Sequence, residues 1–264
     1  MMKKIIALVL ALVMIAACMT ACGSKDVTVA SIQKAGKLVI ATSPDFPPFE
    51  SLAADGSVEG IEIDILNLIC DELGVELVIE QMDFDSVLPG VQAGKFTVGV
   101  SGISVTPARE KNTLFTDPYC LAAQAIVVTS DSAITCKADL EGKTVSVQTG
   151  TTAESFCMEN GYTTKPFAAN SDAQAALTTG KVDAWVIDDL TAAEMVAAYN
   201  EENADAPLVI LGEAMTTEPY AFAFAFGSED LVAGINEILN GLVADGTVAA
   251  IFEKHNAPYT SPLA

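Results

Sequence analysis

Basic side chains are scarce in this chain: 13 Lys and Arg stand against 35 Asp and Glu, a formal net charge of −22 over 264 residues. That balance lacks the positive footprint on which sequence-independent nucleic-acid binding depends, so no nucleic-acid partner is expected. Histidine is scarcer still. The single one, His255, follows a basic residue near the C-terminus, which argues for a surface position and against Ser-His-Asp or Cys-His chemistry. Gly-x-x-x-x-Gly-Lys-Ser/Thr, His-Glu-x-x-His and Cys-x-x-Cys are all missing, so the commonest phosphate, zinc and redox signatures are absent and neither metal nor cofactor is expected. Beyond the first two dozen residues there is no long apolar run. Hydrophobic residues make up 51% of the chain, but they alternate with polar ones as in a globular protein rather than a polytopic membrane protein.

The leading segment has the layout of an export signal: Lys3 and Lys4, an apolar stretch over 5–17, then small residues before two cysteines. Small residues just before Cys resemble a bacterial lipobox. Cys22 is the favoured lipidation site, with Gly23-Ser24-Lys25 after it as the start of a tether, and Cys18 is the alternative. The expected division is therefore a signal peptide over 1–21 and a tether over 22–32. An exported, lipid-anchored protein on the cell surface or in the periplasm follows. Four cysteines remain, Cys70, Cys120, Cys136 and Cys157; the first two lie in apolar stretches, and the last two are candidates for a disulfide.

Strand and helix patterns then alternate. Strands are expected over 37–41, 75–80, 98–102 and 124–129, with helices over 61–73 and 86–93 and a short one entered at Thr106-Pro107. The 61–73 helix rests on Ile61, Ile65, Leu68, Ile69 and Leu73 at 3-to-4 spacing, closed by Gly74. A second α/β unit follows, with strands over 143–147, 182–187 and 208–211 and helices over 152–160, 171–178 and 191–199. The segment 220–226 reads as a strand with Phe222, Phe224 and Phe226 on one core face, and 231–252 carries the last helices before an irregular tail. Two α/β units without a linker should pack as lobes across a cleft, where such folds place ligands.

Four segments carry candidate chemistry. Ser43-Pro44-Asp45-Phe46-Pro47-Pro48-Phe49-Glu50 is a rigid loop that projects rings in fixed directions. Ser101-Gly102-Ile103-Ser104-Val105-Thr106-Pro107-Ala108-Arg109 sets hydroxyls, backbone amides and an Arg suited to a bidentate carboxylate contact at a strand end. Gln148-Thr149-Gly150-Thr151-Thr152 joins a strand to a helix N-terminus, an anion site. Asp183-Ala184-Trp185-Val186-Ile187-Asp188-Asp189 ends an apolar strand in carboxylates suited to an ammonium. Each has an ordinary structural explanation, as packed loop, surface Arg or helix cap. Together, Arg with amides for a carboxylate and Asp for an amine describe an amino-acid zwitterion.

In this order and spacing the segments resemble a known family. Phe46-x-Pro-Phe49, Gly60-Ile61-Glu62-Ile63-Asp64-Ile65, Gly102-x-Ser104-x-Thr106-x-x-Arg109, Phe115-Thr116-Asp117-Pro118-Tyr119, Gly150-Thr151-Thr152 and Asp183-x-x-x-x-Asp188 look like the extracellular solute-binding proteins of family 3, the polar amino-acid receptors of bacterial ABC importers. The resemblance implies an α/β, two-lobe, type II periplasmic-binding-protein fold, with lobe 1 over 33–128 and 219–264 and lobe 2 over 129–218. By the same resemblance Arg109 clamps the ligand α-carboxylate with Ser104 and Thr152, and Asp188 holds the α-ammonium with Ser101 or Gly102. Phe46 and Phe84 flank the side chain, while Phe49 and Asp64 support the loop from behind. Ser43 stands where cationic-ligand members place an Asp. A neutral or polar amino acid is therefore expected, cystine among the candidates, although Asp45 beside Ser43 could serve a cation. The implied partners are an ABC permease with its ATPase and the membrane through the lipid anchor, and the protein is expected to be a monomer and not an enzyme. The alternative is a cyclohexadienyl-dehydratase-like or other enzyme on the same fold, with Asp45 or Glu50 as its acid.

Overall fold

The computed structural model describes residues 26–212 and 214–262. The proposed signal peptide over 1–21 and both candidate lipidation cysteines, Cys18 and Cys22, lie outside the described residues.

Helix α1 (Val29–Ala35) opens the first lobe, capped by the Thr28 hydroxyl and stopped by Gly36 at φ 71°. It leads into β1 (Lys37–Thr42), then the short β2 (Asp45–Phe46), β3 (Glu50–Leu52) and β4 (Val58–Glu59), which form a small antiparallel sheet. Helix α2 (Ile61–Leu73) ends, as its spacing predicts, at Gly74, whose φ of 70° suits a residue without Cβ. Its buried face is broader than the apolar stripe: Ile61, Ile65, Ile69 and Leu73 are buried with Leu66 and Glu62, and Leu68 is exposed at the edge. At about 100° per residue, Glu62 falls in the middle of that face.

Next come β5 (Glu76–Gln81), α3 (Phe84–Gln92), β6 (Val98–Gly99), β7 (Leu114–Phe115) and β8 (Cys120–Ala122). The second lobe holds β9 (Gln124–Thr129), β10 (Thr144–Gln148), α4 (Thr152–Glu159), β11 (Thr163–Phe167), α5 (Asn170–Thr178), β12 (Ala184–Asp188), α6 (Asp189–Glu202) and β13 (Leu208–Ile210). The return passes through β14 (Glu218–Tyr220) and β15 (Ala223–Phe224) to α7 (Glu229–Ala244) and α8 (Thr247–Lys254). The first sheet has the order β5-β1-β6-β15-β7 and the second β11-β10-β12-β9-β13. In each, parallel strands are joined by an antiparallel one from the crossover: β15 on β6 and β9 on β12. Between the sheets β8 and β14 pair antiparallel, with Cys120 opposite Tyr220 and Ala122 opposite Glu218. The chain thus enters the second sheet at Gln124, ahead of the expected division at 128/129.

Several expectations need correction. Val98–Gly99 is all that remains of the strand expected to reach residue 102, because Gly102 turns to φ 52°. The short helix expected after Thr106-Pro107 is a set of turns; Thr106 accepts from the Arg109 N–H through its hydroxyl (3.2 Å) and from the Glu110 N–H through its carbonyl (3.0 Å). The segment 220–226 splits into β14 and β15, and Phe226 is 52% exposed while Phe222 and Phe224 are buried, because the ladder ends at Phe224. Cys136 and Cys157 do not pair: each is a free thiol, and burial pushes Cys157 up to about 12.

Candidate functional site

The eight residues expected to touch ligand, Phe46, Phe84, Ser101, Gly102, Ser104, Arg109, Thr152 and Asp188, line one cavity between the lobes. Gln148 and Asn170 line it as well, and the sequence reasoning did not single them out as ligand contacts. Ser43 and Asp45, expected as a side-chain pocket, do not line it; Asp45 bonds to Gln148 and Asn170, and Ser43 to Asp45.

The aromatic wall is set by backbone. Phe46 stacks on buried Phe49 with ring centroids 5.6 Å apart, and Phe49 meets Tyr220 edge-on at 5.0 Å. Gly102 lies so close beneath Phe46 that a Cβ there would stand 2.4 Å from its ring, and its positive φ also suits glycine. Phe84, at the start of α3, faces the Arg109 guanidinium at 5.7 Å.

At one end of the cavity Arg109 donates to the Ser104 carbonyl (2.8 Å) in its own lobe and to the Gly150 carbonyl (3.3 Å) across the cleft. Burial lowers its pKa, and the negative charges of Glu218 and Asp188 counter that effect. Thr152 begins α4 beside it, where first-turn N–H groups have no partner within the helix. The Thr151 hydroxyl caps that helix by accepting from the Glu154 N–H (3.1 Å). Backbone amides and guanidinium therefore converge on a place for a carboxylate.

At the other end Asp188 closes β12, 7% exposed, and accepts from the Gln124 side-chain amide and the Tyr220 hydroxyl. Burial, then the nearby Glu218 charge, raises the Asp188 carboxyl well above the usual range, while the Tyr220 hydrogen bond and Arg109 pull the other way. An ammonium delivered here would supply the missing positive charge.

Asp45 joins the lobes. Its carboxylate accepts from Ser43 Oγ (2.9 Å) within the loop, from Gln148 Nε2 (3.1 Å) and from the Asn170 backbone N–H (2.8 Å) across the cleft. Asn170 is the first residue of α5, whose own N-cap, Ala169, has no side chain able to accept. A carboxylate from the opposite lobe thus caps this helix.

Under the floor, Glu50 and Glu62 are both fully buried. Glu62 accepts from the Gly102 N–H (3.0 Å) and the Tyr119 hydroxyl (2.6 Å). Glu50 accepts from Ser101 Oγ (2.6 Å), and its other oxygen has no donor among the described groups. Burial first, then the Glu62 charge, raises Glu50 well above the usual carboxylate range.

Asp64 does not back the aromatic loop. Its carboxylate lies 2.7 Å from both Lys254 Nζ and His255 Nε2, tying α2 to the end of α8. Burial works to raise its pKa, but these two partners prevail and lower it. His255 is accordingly a half-buried partner rather than a free surface residue. Among the described residues no cluster of His, Cys, Asp and Glu could hold a metal ion.

Two α/β lobes around such a cleft define a bilobal cleft fold, and comparison with known proteins specifies it. Residues 38–258 match the model of the bacterial extracellular solute-binding proteins, family 3, and the chain belongs to that family. It is 31% identical over 252 residues to the arginine-binding extracellular protein ArtP of Bacillus subtilis (strain 168), covering 92% of this chain and 96% of that one. It is 26% identical over 227 residues to the L-cystine-binding protein TcyJ of Escherichia coli (strain K12), covering 84% of each. The crystal structure of the ancestral amino acid-binding protein AncCDT-1, described as a precursor of cyclohexadienyl dehydratase, matches with a TM-score of 0.77 and 33% identity, covering 86% of this chain and 98% of that one. The type II periplasmic-binding fold expected from the sequence is therefore present, and these named proteins are an arginine-binding, a cystine-binding and an ancestral amino acid-binding protein.

Proposed function

We propose that this protein is the substrate-binding component of an ABC importer, capturing a polar amino acid between its lobes and delivering it to a membrane permease. The observation that carries the reading is the cavity itself. It has Arg109 and the α4 N-terminus at one end and the buried Asp188 carboxylate at the other, so a zwitterion laid between them meets a complementary charge at each end. Arg109 and Ser104 come from one lobe and Thr152 and Asp188 from the other, so full recognition requires closure and neither half-site suffices. Ser101 and Gly102 form the floor under the ammonium end, and Phe46 and Phe84 flank the ligand side chain.

The wall that carries Gln148 and Asn170 presents neutral amides already bonded to each other (3.0 Å) and to Asp45, and no free charge, which favours an uncharged polar side chain, cystine included. Three protein donors already occupy Asp45, and the positive end of α5 offsets its charge. A second reading, a cationic side chain such as that of arginine, has in its favour that Asp45 lies at this end and that ArtP is named for arginine. Binding is favoured over catalysis because Glu50, an acid the enzyme reading would use, is sealed beneath the floor. Export with lipidation at Cys22, or alternatively Cys18, completes the proposal and places a monomeric receptor at the membrane surface.

Thermal unfolding of the full chain against the twenty amino acids, cystine and ornithine tests the reading. A ligand at about 100 times its dissociation constant adds about 2.7 kcal/mol. A shift from one small group of amino acids, lost in Arg109→Ala, supports capture of free amino acids. No shift with any of them overturns it.

A further inference from the structure

Gln124 lies outside the cavity lining, 1% exposed, where the chain enters the second sheet. Its side-chain nitrogen donates to Asp188 Oδ1 and to Thr152 Oγ1 (3.1 Å), while the other Asp188 oxygen accepts from the Tyr220 hydroxyl. An amide nitrogen has two hydrogens, and both are committed here. The reverse orientation would turn the Gln124 carbonyl oxygen onto a carboxylate. The observed one leaves that oxygen buried with no donor among the described residues, so the contacts to Asp188 and Thr152 decide the orientation. The Gln124 backbone N–H donates to Thr216 Oγ1 (3.1 Å), and the Thr216 hydroxyl donates to Glu218 Oε1 (2.7 Å), which fixes the residue from the return strand as well.

We propose that Gln124 is the positioning residue for zwitterion recognition: one amide aims the ammonium anchor, Asp188, and the carboxylate-side hydroxyl, Thr152, together, while Tyr220 holds the second Asp188 oxygen. Because Thr152 Oγ1 accepts from Gln124, its own hydrogen is free to donate into the cavity. Because Asp188 accepts on both oxygens, its carboxylate plane is fixed before any ligand arrives. The proposal rests on the reading that Asp188 and Thr152 hold the two ends of an amino acid.

The test uses the full chain and two substitutions, Gln124→Met, close in size, and Tyr220→Phe, which removes one oxygen. In ligand-free protein carrying ¹³C-labelled aspartate, with Asp188→Asn to assign the signal, the Asp188 titration is followed by NMR. Donors to the ionised form favour it, so losing either one moves the Asp188 midpoint up. Glu218 on β14 and Asp189 at the start of α6 push the same midpoint up and Arg109 pulls it down, and all three are unaltered in the variants. Calorimetry then uses whichever of L-glutamine, L-cystine and L-arginine binds the unsubstituted chain, together with its deamino counterpart. Tyr220→Phe is expected to weaken the amino acid about tenfold, as for one hydrogen bond to a charged group, and to spare the deamino compound. Gln124→Met is expected to weaken both, since Thr152 is released too. An Asp188 midpoint unmoved by either substitution overturns the proposal, as does equal weakening of both compounds by Tyr220→Phe. Midpoints that move in a chain whose melting is shifted by none of the twenty amino acids, cystine or ornithine support the positioning role while removing the amino-acid reading.

Discussion

Replacing Asp45 by Ala should open the ligand-free protein. The carboxylate makes two hydrogen bonds across the cleft, to the Asn170 N–H at 2.8 Å and to Gln148 Nε2 at 3.1 Å. In an open form water takes its place and α5 loses its cap. A charge-assisted bond to a helix N-terminal N–H is worth about 1.5 kcal/mol net, and the longer amide bond about 1 kcal/mol. Together they hold the closed form by about 2.5 kcal/mol, about 70-fold in the closed-to-open ratio. Small-angle scattering of the ligand-free protein reads this directly: the radius of gyration should rise in Asp45→Ala and return towards the parent value on saturation with ligand. Affinity should fall by a factor common to every ligand and no larger than about 70, because each must now drive the closure that Asp45 supplied. Scattering curves that superimpose for the two ligand-free proteins would refute the reasoning. An affinity loss confined to arginine and lysine would instead make Asp45 a direct partner of a cationic side chain.

Other perturbations have equally definite outcomes. Arg109→Ala removes the guanidinium from the carboxylate end and should cost about 2–5 kcal/mol of binding, read by calorimetry, with the folded protein's melting temperature little changed. Gly102→Ala places a Cβ 2.4 Å from the Phe46 ring at a positive φ, and should destabilise the fold by about 1–3 kcal/mol in urea titrations and weaken binding as well. Glu50→Gln tests the raised Glu50 carboxyl. Glu50 is raised well above its unfolded value, so its contribution to stability is complete below about pH 4.3 and is lost as pH rises through the folded value. Gln stays neutral throughout, so the variant should lose less stability than the parent as pH is raised, and parallel melting profiles from pH 5 to 9 would sink the assignment.

Local rules made much of the fold legible. The helix over 61–73 and its Gly74 stop follow from 3-to-4 spacing and one left-handed glycine, and both need only near neighbours. The strand expected over 220–226 failed because period-2 alternation describes the side chains and not the ladder. Pairing to β8 and β7 involves different halves of that segment, and Phe226 has no partner strand. The cavity-lining groups that the sequence offered are those at strand ends and helix starts, where chain geometry alone makes them available. Gln124, Gln148 and Asn170 escaped because their roles arise from contacts with Asp188, Thr152 and Asp45, far along the chain. The one local hint was a glutamine heading an otherwise apolar strand. Glu62 was hidden in the same way, at the centre of a helix face that reads as apolar until Tyr119 and Gly102 are seen to satisfy it.

Tyr220 has a consequence for how such a receptor can be retuned. Its ring packs against Phe49 and Phe46 on one side of the cleft, and its hydroxyl serves Asp188 on the other, from a strand of the connecting pair. The axle and the jaws therefore share a part. A change in the connection that alters how readily the lobes swing must also shift the aromatic surface or the carboxylate, so mobility and selectivity are mechanically tied at this residue. Substitutions on the rim can adjust one without the other; substitutions at Tyr220 cannot.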